Sequence, residues 1–332
     1  MKLTSVRSAV ETDLPPLMRA AVVARYGPPE TVGLIDPPIP RPAAGELLIK
    51  VHAAGVSTGD ARIRAARFPP GFGTLARLAF GLRGPRRAVL GGTFSGSVVG
   101  LGSRTKGFAI GDQVAGMTGA RLGTHAEYCV ARASNTVLKP AGVTHSDAAG
   151  VLFGGSTALD YLRDRGGLRP GRKVLVVGGS GAVGTAAVQL ARLARAEVTA
   201  VCSGRNADLV RALGAVRVID HTTTDVGSIT EHFDIVLDAV GVLGPPDTRR
   251  LLTHEGRLLL PVASLGQTVT ARGAVKAGPA RERASDFSQL LALVDSGDLR
   301  VVLEKELPLA EIVTAHRLVD SGRKVGNVVV LP

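Results

Sequence analysis

The spacing of apolar residues changes in character near residue 145 of the chain. Before that point, short apolar runs such as ELLIKVHAA (46–54) alternate with glycine-rich turns, which is typical of a β-rich domain. After residue 170, apolar strands alternate with helical patterns, as in KVLVV (173–177), AVGTAAVQLARLAR (182–195) and EVTAVC (197–202). This alternation predicts a parallel sheet covered by helices on both faces. Two more helical patterns and a strand, NVVVLP, close the chain.

A stretch between the predicted strands departs from both patterns. Residues 69–90 are rich in glycine, proline and arginine, and we expect a mobile loop there. Another unusual stretch, 174–191, has no charged residue and has the length of a membrane span. It contains four glycines, and its pattern changes from strand to helix halfway. We therefore expect a nucleotide-binding unit here and no contact with a membrane.

Length and charge restrict the possible functions. With 332 residues, the chain exceeds the usual size of a single core, so two domains are expected. The net charge of +12 is compatible with a nucleic-acid-binding surface. However, the basic residues are spread along the chain, tryptophan is absent and only 3% of residues are aromatic. Stacking platforms for bases are thus not available, and we do not expect a nucleic-acid partner.

Cysteine usage and the first residues of the chain point to a cytoplasmic protein. Cys129 and Cys202 are the two cysteines, and they form neither a CxxC motif nor a zinc-ribbon spacing. Two isolated cysteines suit a reducing compartment. The first 17 residues contain no apolar segment of the kind found in signal peptides.

A glycine motif follows the first strand of the predicted parallel sheet. The residues are Gly179, Ser180, Gly181, Ala182, Val183 and Gly184, which form a GxGxxG pattern between a strand and a helix. In such a motif, Gly179 permits a tight turn, Gly181 lets a pyrophosphate approach the backbone, and Gly184 lets the helix pack closely on the strand. The motif predicts a dinucleotide site with the pyrophosphate at the helix N-terminus.

The end of the next strand indicates which dinucleotide binds. An NAD site usually has an acidic residue there for the ribose hydroxyls, but this chain has no acid between Glu197 and Asp208. Ser203, Arg205 and Asn206 stand there instead. A guanidinium flanked by two hydrogen-bond donors suits the 2′-phosphate of NADP(H). The alternative is a surface arginine without a ligand.

Several motifs together resemble the zinc-free quinone oxidoreductases (zeta-crystallin-like) of the medium-chain dehydrogenase/reductase family. They include AAGVSTGD, IGDQVAG, HAEYCVA, STALDYL, LRPGRKVLVVGGSGAVG, FDIVLDAVG and SGRKVGNVVVL, and the similarity extends from about Met18 to Pro332. It implies an α/β fold with a GroES-like β-rich catalytic domain and a Rossmann domain with a doubly wound parallel sheet. The catalytic domain would be discontinuous (18–147 and 285–332) around an NADP-binding domain (148–284). Residues 1–17 would be an N-terminal extension. The resemblance also implies a homodimer and a reaction cleft between the domains.

The zinc ligands of related alcohol dehydrogenases are missing from this sequence. Ser57 stands at the first ligand position, and Gly91, Gly92 and Thr93 stand where those enzymes have a GHE motif. The seven histidines show no ligand spacing. We therefore expect no metal. Without a Lewis acid to polarise an alcohol oxygen, hydride delivery to an acceptor that is already electrophilic is the expected chemistry.

The resemblance also implies roles for residues near the cofactor. Thr157, Val240 and Gly241 are expected near the nicotinamide and its ribose, and Gly181, Ala182 and Val183 at the pyrophosphate. His221 is expected beside the adenine ribose, where relatives often have a tyrosine. The alternative for His221 is a surface turn residue.

On the acceptor side, no general acid is evident. Ser57 or Thr58 is expected to donate a hydrogen bond to the acceptor carbonyl, while water supplies the proton. Asp60 and Arg64, spaced i and i+4, are expected to form a structural ion pair on one helix face. Phe68 stands near the position of a family tyrosine. Arginines between Arg62 and Arg87 are expected to border the acceptor cleft, where they would favour an acidic substrate.

The preferred hypothesis is an NADPH-dependent oxidoreductase that delivers hydride to a quinone or an α,β-unsaturated carbonyl, both small electrophilic acceptors. Three alternatives remain open at this point. The first is an enoyl reductase of secondary metabolism, and the second is a zinc-independent ketone or alcohol dehydrogenase. The third is an NADPH-binding protein that interacts with RNA, as zeta-crystallin-like relatives suggest.

Overall fold

The computed structural model of the protein describes residues 14–332, and for Thr248 only the backbone. Residues 1–13, which make up most of the predicted N-terminal extension, lie outside the described part. Of the remainder of that extension, Leu17 pairs with Pro38 in an isolated β-bridge.

The first part of the chain is β-rich, as predicted. Its elements are β1 (Ala20–Val23), β2 (Val32–Ile35), β3 (Glu46–Val56), α1 (Thr58–Ala65), α2 (Gly73–Phe80), β4 (Thr93–Leu101), β5 (Gln113–Met117), β6 (Tyr128–Arg132), β7 (Thr136–Leu138) and α3 (His145–Leu159). A π-helical turn, Asp160–Arg165, extends α3.

The second part alternates strands and helices. Its elements are β8 (Lys173–Val177), α4 (Ala182–Leu193), β9 (Glu197–Cys202), α5 (Ala207–Ala212), β10 (Arg217–Asp220), β11 (Phe233–Asp238), α6 (Thr248–Leu251), β12 (Leu252–Leu260), α7 (Leu265–Thr270) and β13 (Val275–Ala277). These six strands form one sheet in the order β10-β9-β8-β11-β12-β13, with all pairs parallel. The parallel sheet predicted from the apolar strands is confirmed.

The end of the chain returns to the first sheet. It contains α8 (Ala284–Asp295), β14 (Leu303–Pro308), α9 (Ile312–Asp320) and β15 (Asn327–Leu331). A seven-stranded sheet has the order β14-β15-β3-β4-β5-β7, with β6 also paired to β3. Because β15 pairs with β3, strands from the first and last parts of the chain form one sheet. The part of the sequence between them forms the parallel sheet.

One expectation about the first part was wrong. Residues 69–90, predicted to be a mobile loop, contain helix α2. Its sequence GTLARLAF buries Ala76, and Phe80 stacks on Phe68 with ring centroids 5.8 Å apart. These apolar contacts stabilise the helix. The prediction of a loop was wrong because it gave more weight to the surrounding glycines and prolines than to the short apolar pattern.

Helix α3 connects the two sheets through their shared core. Leu152 and Leu162 of α3 and its extension are fully buried in one cluster with Met117 of β5, Val176 of β8 and Leu290 of α8. Burying one such leucine side chain contributes roughly 1.5–3 kcal/mol. The packing on α3 therefore fixes how the two sheets face each other.

A buried histidine on α9 should make stability depend on pH. His316 is fully buried, neither ring nitrogen has a hydrogen-bond partner within residues 14–332, and its ring lies 6.0 Å from that of His125. Burial, reinforced by His125, lowers the pKa of His316 to about 3. The unfolded chain binds this proton near its ordinary pKa of about 6.5, so the folded state loses stability as pH falls below that value.

We therefore expect the free energy of unfolding, measured with urea, to fall between pH 7 and pH 4, with His316 contributing up to about 1.4 kcal/mol per pH unit. His316→Leu should reduce this slope, whereas the same change at the exposed His254 should not. An unchanged slope in His316→Leu would contradict the assignment.

Candidate cofactor and acceptor cleft

A cleft of about 1110 Å³ lies between the two sheets. One wall is formed by the end of β3, the start of α1 and the first half of α3. The other wall is formed by the glycine motif and by residues that follow β9, β10 and β11. Ligands of parallel sheets bind at the carboxyl ends of the strands, and this wall is at that end.

The glycine motif forms the tight turn between β8 and α4, but not as expected from the sequence. The residue in the left-handed conformation is Gly178, with φ of +85°, and not Gly179. Gly179 is closely packed instead, because an added Cβ would lie 3.0 Å from the Cβ of Ala200, which would have to move slightly to accept it. At Gly184 an added Cβ would lie 2.0 Å from the carbonyl oxygen of Gly178. Helix α4 therefore reaches this close to the turn only with glycine there.

The start of α4 fits a diphosphate. Gly181 precedes the helix, and no side chain caps its first amides. Gly181, Ala182 and Val183 line the cleft, where an added Cβ on Gly181 would meet one atom, the Gly178 oxygen at 3.5 Å. Uncapped amides and the positive end of the helix dipole attract phosphate oxygens. A nicotinamide dinucleotide therefore fits here, with its pyrophosphate on these amides.

The three polar residues after β9 that are predicted to bind the 2′-phosphate lie together at the cleft. Asn206 Nδ2 donates hydrogen bonds to Ser180 Oγ at 3.1 Å and to Ser203 Oγ at 3.3 Å. Arg205 Nη2 donates to the carbonyl oxygen of Arg323 at 3.1 Å, which leaves its other donors available. Ser203, Arg205 and Asn206 all line the cleft.

The structure adds two cations that sequence reasoning missed. Arg323 and Lys324 precede β15 and line the cleft. The Gly326 amide donates to the Ser180 carbonyl oxygen at 2.8 Å, which places this segment against the glycine motif. Burial lowers the pKa of Lys324 to about 8, and the Lys324 side chain donates a hydrogen bond to the Gly326 carbonyl oxygen. The motif SGRKVG was visible in the sequence, but only the path of the chain brings it to the phosphate end.

Only some of the remaining residues that were predicted to contact the cofactor line the cleft. His221 and Val240 line the cleft, but Gly241 and Thr157 do not. The Gly241 amide donates to the buried carboxylate of Asp238 at 2.8 Å, which fixes the loop after β11. Thr157 lies one helical turn beyond Phe153 and donates its hydroxyl hydrogen to the carbonyl oxygen of Phe153 at 2.8 Å. The expected contact of Thr157 with the nicotinamide is therefore not supported by its position.

At the acceptor end, Ser57 and Thr58 begin α1 and line the cleft. The Ser57 hydroxyl donates to Asp60 Oδ2 at 2.6 Å, and Ser57 and Asp60 form a capping box. Its hydrogen is therefore engaged within the helix. The Thr58 hydroxyl has no hydrogen-bond partner in the part of the chain that the structure describes, and Thr58 is exposed to the cleft. Of the two predicted donors, Thr58 is the one with a free hydroxyl.

The predicted ion pair between Asp60 and Arg64 does not form. The Asp60 oxygens accept hydrogen bonds from Ser57 and from the Gly91 amide at 3.0 Å. Arg64 is fully buried and binds Asp320 at 2.5 Å and the Gly27 carbonyl oxygen at 2.7 Å. The helix spacing was right, but backbone amides and α9 compete successfully for both groups.

A zinc ion does not fit the side chains at this site. Within residues 14–332, no group of three or more histidine, cysteine or acidic side chains is arranged to hold a metal. Ser57, at the expected ligand position, is engaged with Asp60.

Within residues 14–332, no helix combines the length and apolar character needed to span a membrane.

Comparisons with known proteins agree with this geometry. Residues 43–152 match the alcohol dehydrogenase GroES-like domain, and residues 213–330 match a zinc-binding dehydrogenase domain. The mouse (Mus musculus) NAD(P)H oxidoreductase RTN4IP1, mitochondrial, is 32% identical over 98% of this chain and 90% of its own length. The NADPH-dependent alkenal/one oxidoreductase, chloroplastic, of Arabidopsis thaliana is 27% identical over 99% of this chain and 83% of its own length.

A solved structure extends the similarity to three dimensions. The quinone oxidoreductase from Coxiella burnetii superposes with a TM-score of 0.86 at 30% identity, covering 95% of this chain and 99% of its own. The chain belongs to the medium-chain dehydrogenase/reductase family, among its quinone oxidoreductases. This confirms the predicted fold class, with a GroES-like part and a Rossmann-like parallel sheet. An oxidoreductase that uses a nicotinamide cofactor follows from the same relatives.

Two glycine variants of this quinone oxidoreductase should separate cofactor binding from folding. In Gly181→Ala the new methyl group meets one atom at 3.5 Å, and φ is −80°, so the unfolding midpoint should stay within error. Its affinity for NADPH should fall about tenfold or more, because a methyl group occupies space beside the pyrophosphate.

Gly184→Ala should instead lower the unfolding midpoint of the ligand-free protein, because of the 2.0 Å clash with Gly178. Thermal unfolding and NADPH fluorescence titration measure both effects. Unchanged NADPH affinity in Gly181→Ala would contradict the placement of the pyrophosphate.

Proposed function

We propose that this protein is a zinc-independent reductase that uses NADPH to reduce quinones or α,β-unsaturated carbonyl compounds. The observation that carries the proposal is the group of three cations, Arg205, Arg323 and Lys324, at the phosphate end of the cleft. Arg205 follows β9, where an NAD site would place a carboxylate. Three positive charges suit a cofactor with an additional phosphate, since each charge-assisted hydrogen bond contributes roughly 1.5–3 kcal/mol.

The residues of the chain would perform the reaction by positioning. When bound, the cofactor supplies a hydride. The acceptor gains the hydride at its electrophilic carbon, and the electron pair moves toward its carbonyl oxygen. Water then protonates the oxygens of a reduced quinone, or the α-carbon of the enolate formed from an enone. Thr58 would donate a hydrogen bond to that oxygen as its charge increases. Phe153, Ala149 and Val240 line the same cleft and give it apolar surface, which reduces access of water to the hydride.

Relatives and donor chemistry support this class of acceptor. The names of two relatives refer to alkenals or enones and to quinones. Alcohol oxidation in this family depends on a Lewis acid, and the side chains at the cleft do not offer its ligands. A homodimer, which the resemblance implies, stays a prediction.

The proposed cofactor preference depends on Arg205. The wild-type protein should oxidise NADPH with a panel of quinones, enals and enones, with a clearly lower kcat/KM for NADH. Arg205→Ala should lower kcat/KM for NADPH by about tenfold to a hundredfold and should affect NADH less. Arg211→Ala is the matched control, because Arg211 is an exposed arginine on α5 that pairs with Asp208. Equal efficiency with NADH and NADPH in the wild type would contradict the proposal.

The role of Thr58 can be tested separately. Thr58→Val should lower kcat for enone reduction by about threefold to tenfold, the worth of one neutral hydrogen bond. Ser57→Ala should mainly lower stability, by about 1 kcal/mol, because it removes a helix cap. Tyr26→Phe should change the rate little, since Tyr26 donates to the Gly81 carbonyl oxygen away from the cleft wall. An unchanged rate in the Ser57→Ala, Thr58→Ala double variant would remove this role.

A further inference from the structure

Three arginines lie on or just after helix α1, and they differ in whether an acidic residue neutralises them. Arg64 and Arg67 both bind the Asp320 carboxylate, at 2.5 Å and 2.8 Å. Arg62 has no hydrogen bond or ion pair from its side chain to any residue between 14 and 332. Two of the three cations therefore share one carboxylate, and Arg62 has no counterion within residues 14–332.

The unneutralised arginine faces the reaction cleft. Arg62 lies four residues after Thr58, so the two side chains share one face of α1, and both line the cleft. Arg62 is half-buried, and this burial lowers the pKa of its guanidinium. A cation withdrawn from water without a counterion is unfavourable, and an anion that enters the cleft would compensate for that cost.

Within residues 14–332, no acidic residue takes the place of that anion. The sequence contains no aspartate or glutamate between Asp60 and Asp112. The Asp60 carboxylate is occupied by Ser57 and the Gly91 amide. Of the acids that line the cleft, Asp247 pairs with Arg250 at 2.6 Å, and Asp225 accepts from the Gly227 amide at 2.9 Å.

Arg62 does not belong to the segments that form the expected phosphate site. Arg205 binds the Arg323 carbonyl oxygen and Gly326 binds Ser180, so the phosphate-end cations cluster around the glycine motif. Arg62 belongs instead to the helix that presents Thr58. After α1, the chain approaches the domain that contains the parallel sheet. There the carbonyl oxygen of Pro70 accepts a hydrogen bond from the Leu265 amide at 2.9 Å. The other arginines expected at the cleft, from Arg64 to Arg87, do not line it.

We propose that Arg62 binds an anionic group of the acceptor, so that the preferred acceptor is a quinone or enone bearing a carboxylate or a similar anion. This inference rests on the proposed reductase function. The guanidinium fork suits a carboxylate, which it can bind through two parallel hydrogen bonds. With Thr58 on the carbonyl oxygen and Arg62 on the anion, one face of α1 orients the acceptor at two points.

Matched pairs of acceptors test this proposal. One pair is β-benzoylacrylate and its methyl ester, and a second is a naphthoquinone sulfonate and the unsubstituted naphthoquinone. In the wild type, kcat/KM should favour the anionic member of each pair, and this preference should weaken as salt is added. In Arg62→Gln the ratio of anionic to neutral kcat/KM should fall about tenfold to a hundredfold, mainly through KM. Arg67→Gln should keep the wild-type ratio, because Arg67 is exposed and lies off the cleft.

The outcomes separate this proposal from the reductase function. If the wild type reduces both members of each pair equally and Arg62→Gln changes neither ratio, the inference about Arg62 is overturned while the reductase function stands. If no quinone or enone is reduced, the reductase function itself fails. Equal losses for neutral and anionic acceptors, or a weaker NADPH affinity in Arg62→Gln, would assign Arg62 to catalysis or to the cofactor and overturn the proposal. A preference for the sulfonate without one for the carboxylate would support an anion site of sulfonate or phosphate type.

Discussion

The geometry of the site depends on one contact between two backbone segments, the segment just before β15 and the glycine motif. The Gly326 amide donates to the Ser180 carbonyl oxygen at 2.8 Å, and Gly181 and Gly326 form a parallel bridge. A few residues later, β15 pairs with β3 of the other sheet. The same short segment thus belongs to both walls of the cleft and fixes its width. It also places Arg323 and Lys324 on the same cleft as Arg205.

The second constraint is the buried carboxylate of Asp60, which gives helix α1 two different faces. Asp60 accepts from Ser57 and from the Gly91 amide, and Arg64 binds α9 through Asp320. Because Arg64 is fully buried, loss of its carboxylate partner would leave a charge without a counterion in the interior, and the inward face is therefore held firmly. The outward face, with Thr58 and Arg62, then has a fixed direction into the cleft. Polar groups on one helix are thereby separated into those that hold the fold and those available to an acceptor.

Much of this could be predicted from the sequence, because the strongest signals are local. The alternation of apolar strands and helices, the glycine motif and the absence of an acid after β9 all lie within short stretches. The contributions of Arg323 and Lys324 could not be separated from other surface charge, because they depend on which distant segments meet. Arg62 was placed at the cleft, but the sequence did not distinguish it from the other arginines up to Arg87. The contact of Thr157 with the nicotinamide stays a prediction, because its motif indicates a helix but not how that helix packs at the cleft, which Phe153 lines one turn earlier. The Asp60–Arg64 pair failed because the spacing predicts proximity and not the competing partners.

The central claim is direct hydride delivery to an electrophilic carbon, with the proton coming from water. It is tested most directly by reducing an enone with NADPH in which both hydrogens on the hydride-bearing carbon of the nicotinamide are deuterium. We predict deuterium at the β-carbon of the saturated product and, in a parallel reaction in D₂O with unlabelled NADPH, at the α-carbon only. Products analysed by NMR that carry no deuterium from the labelled cofactor would contradict the account.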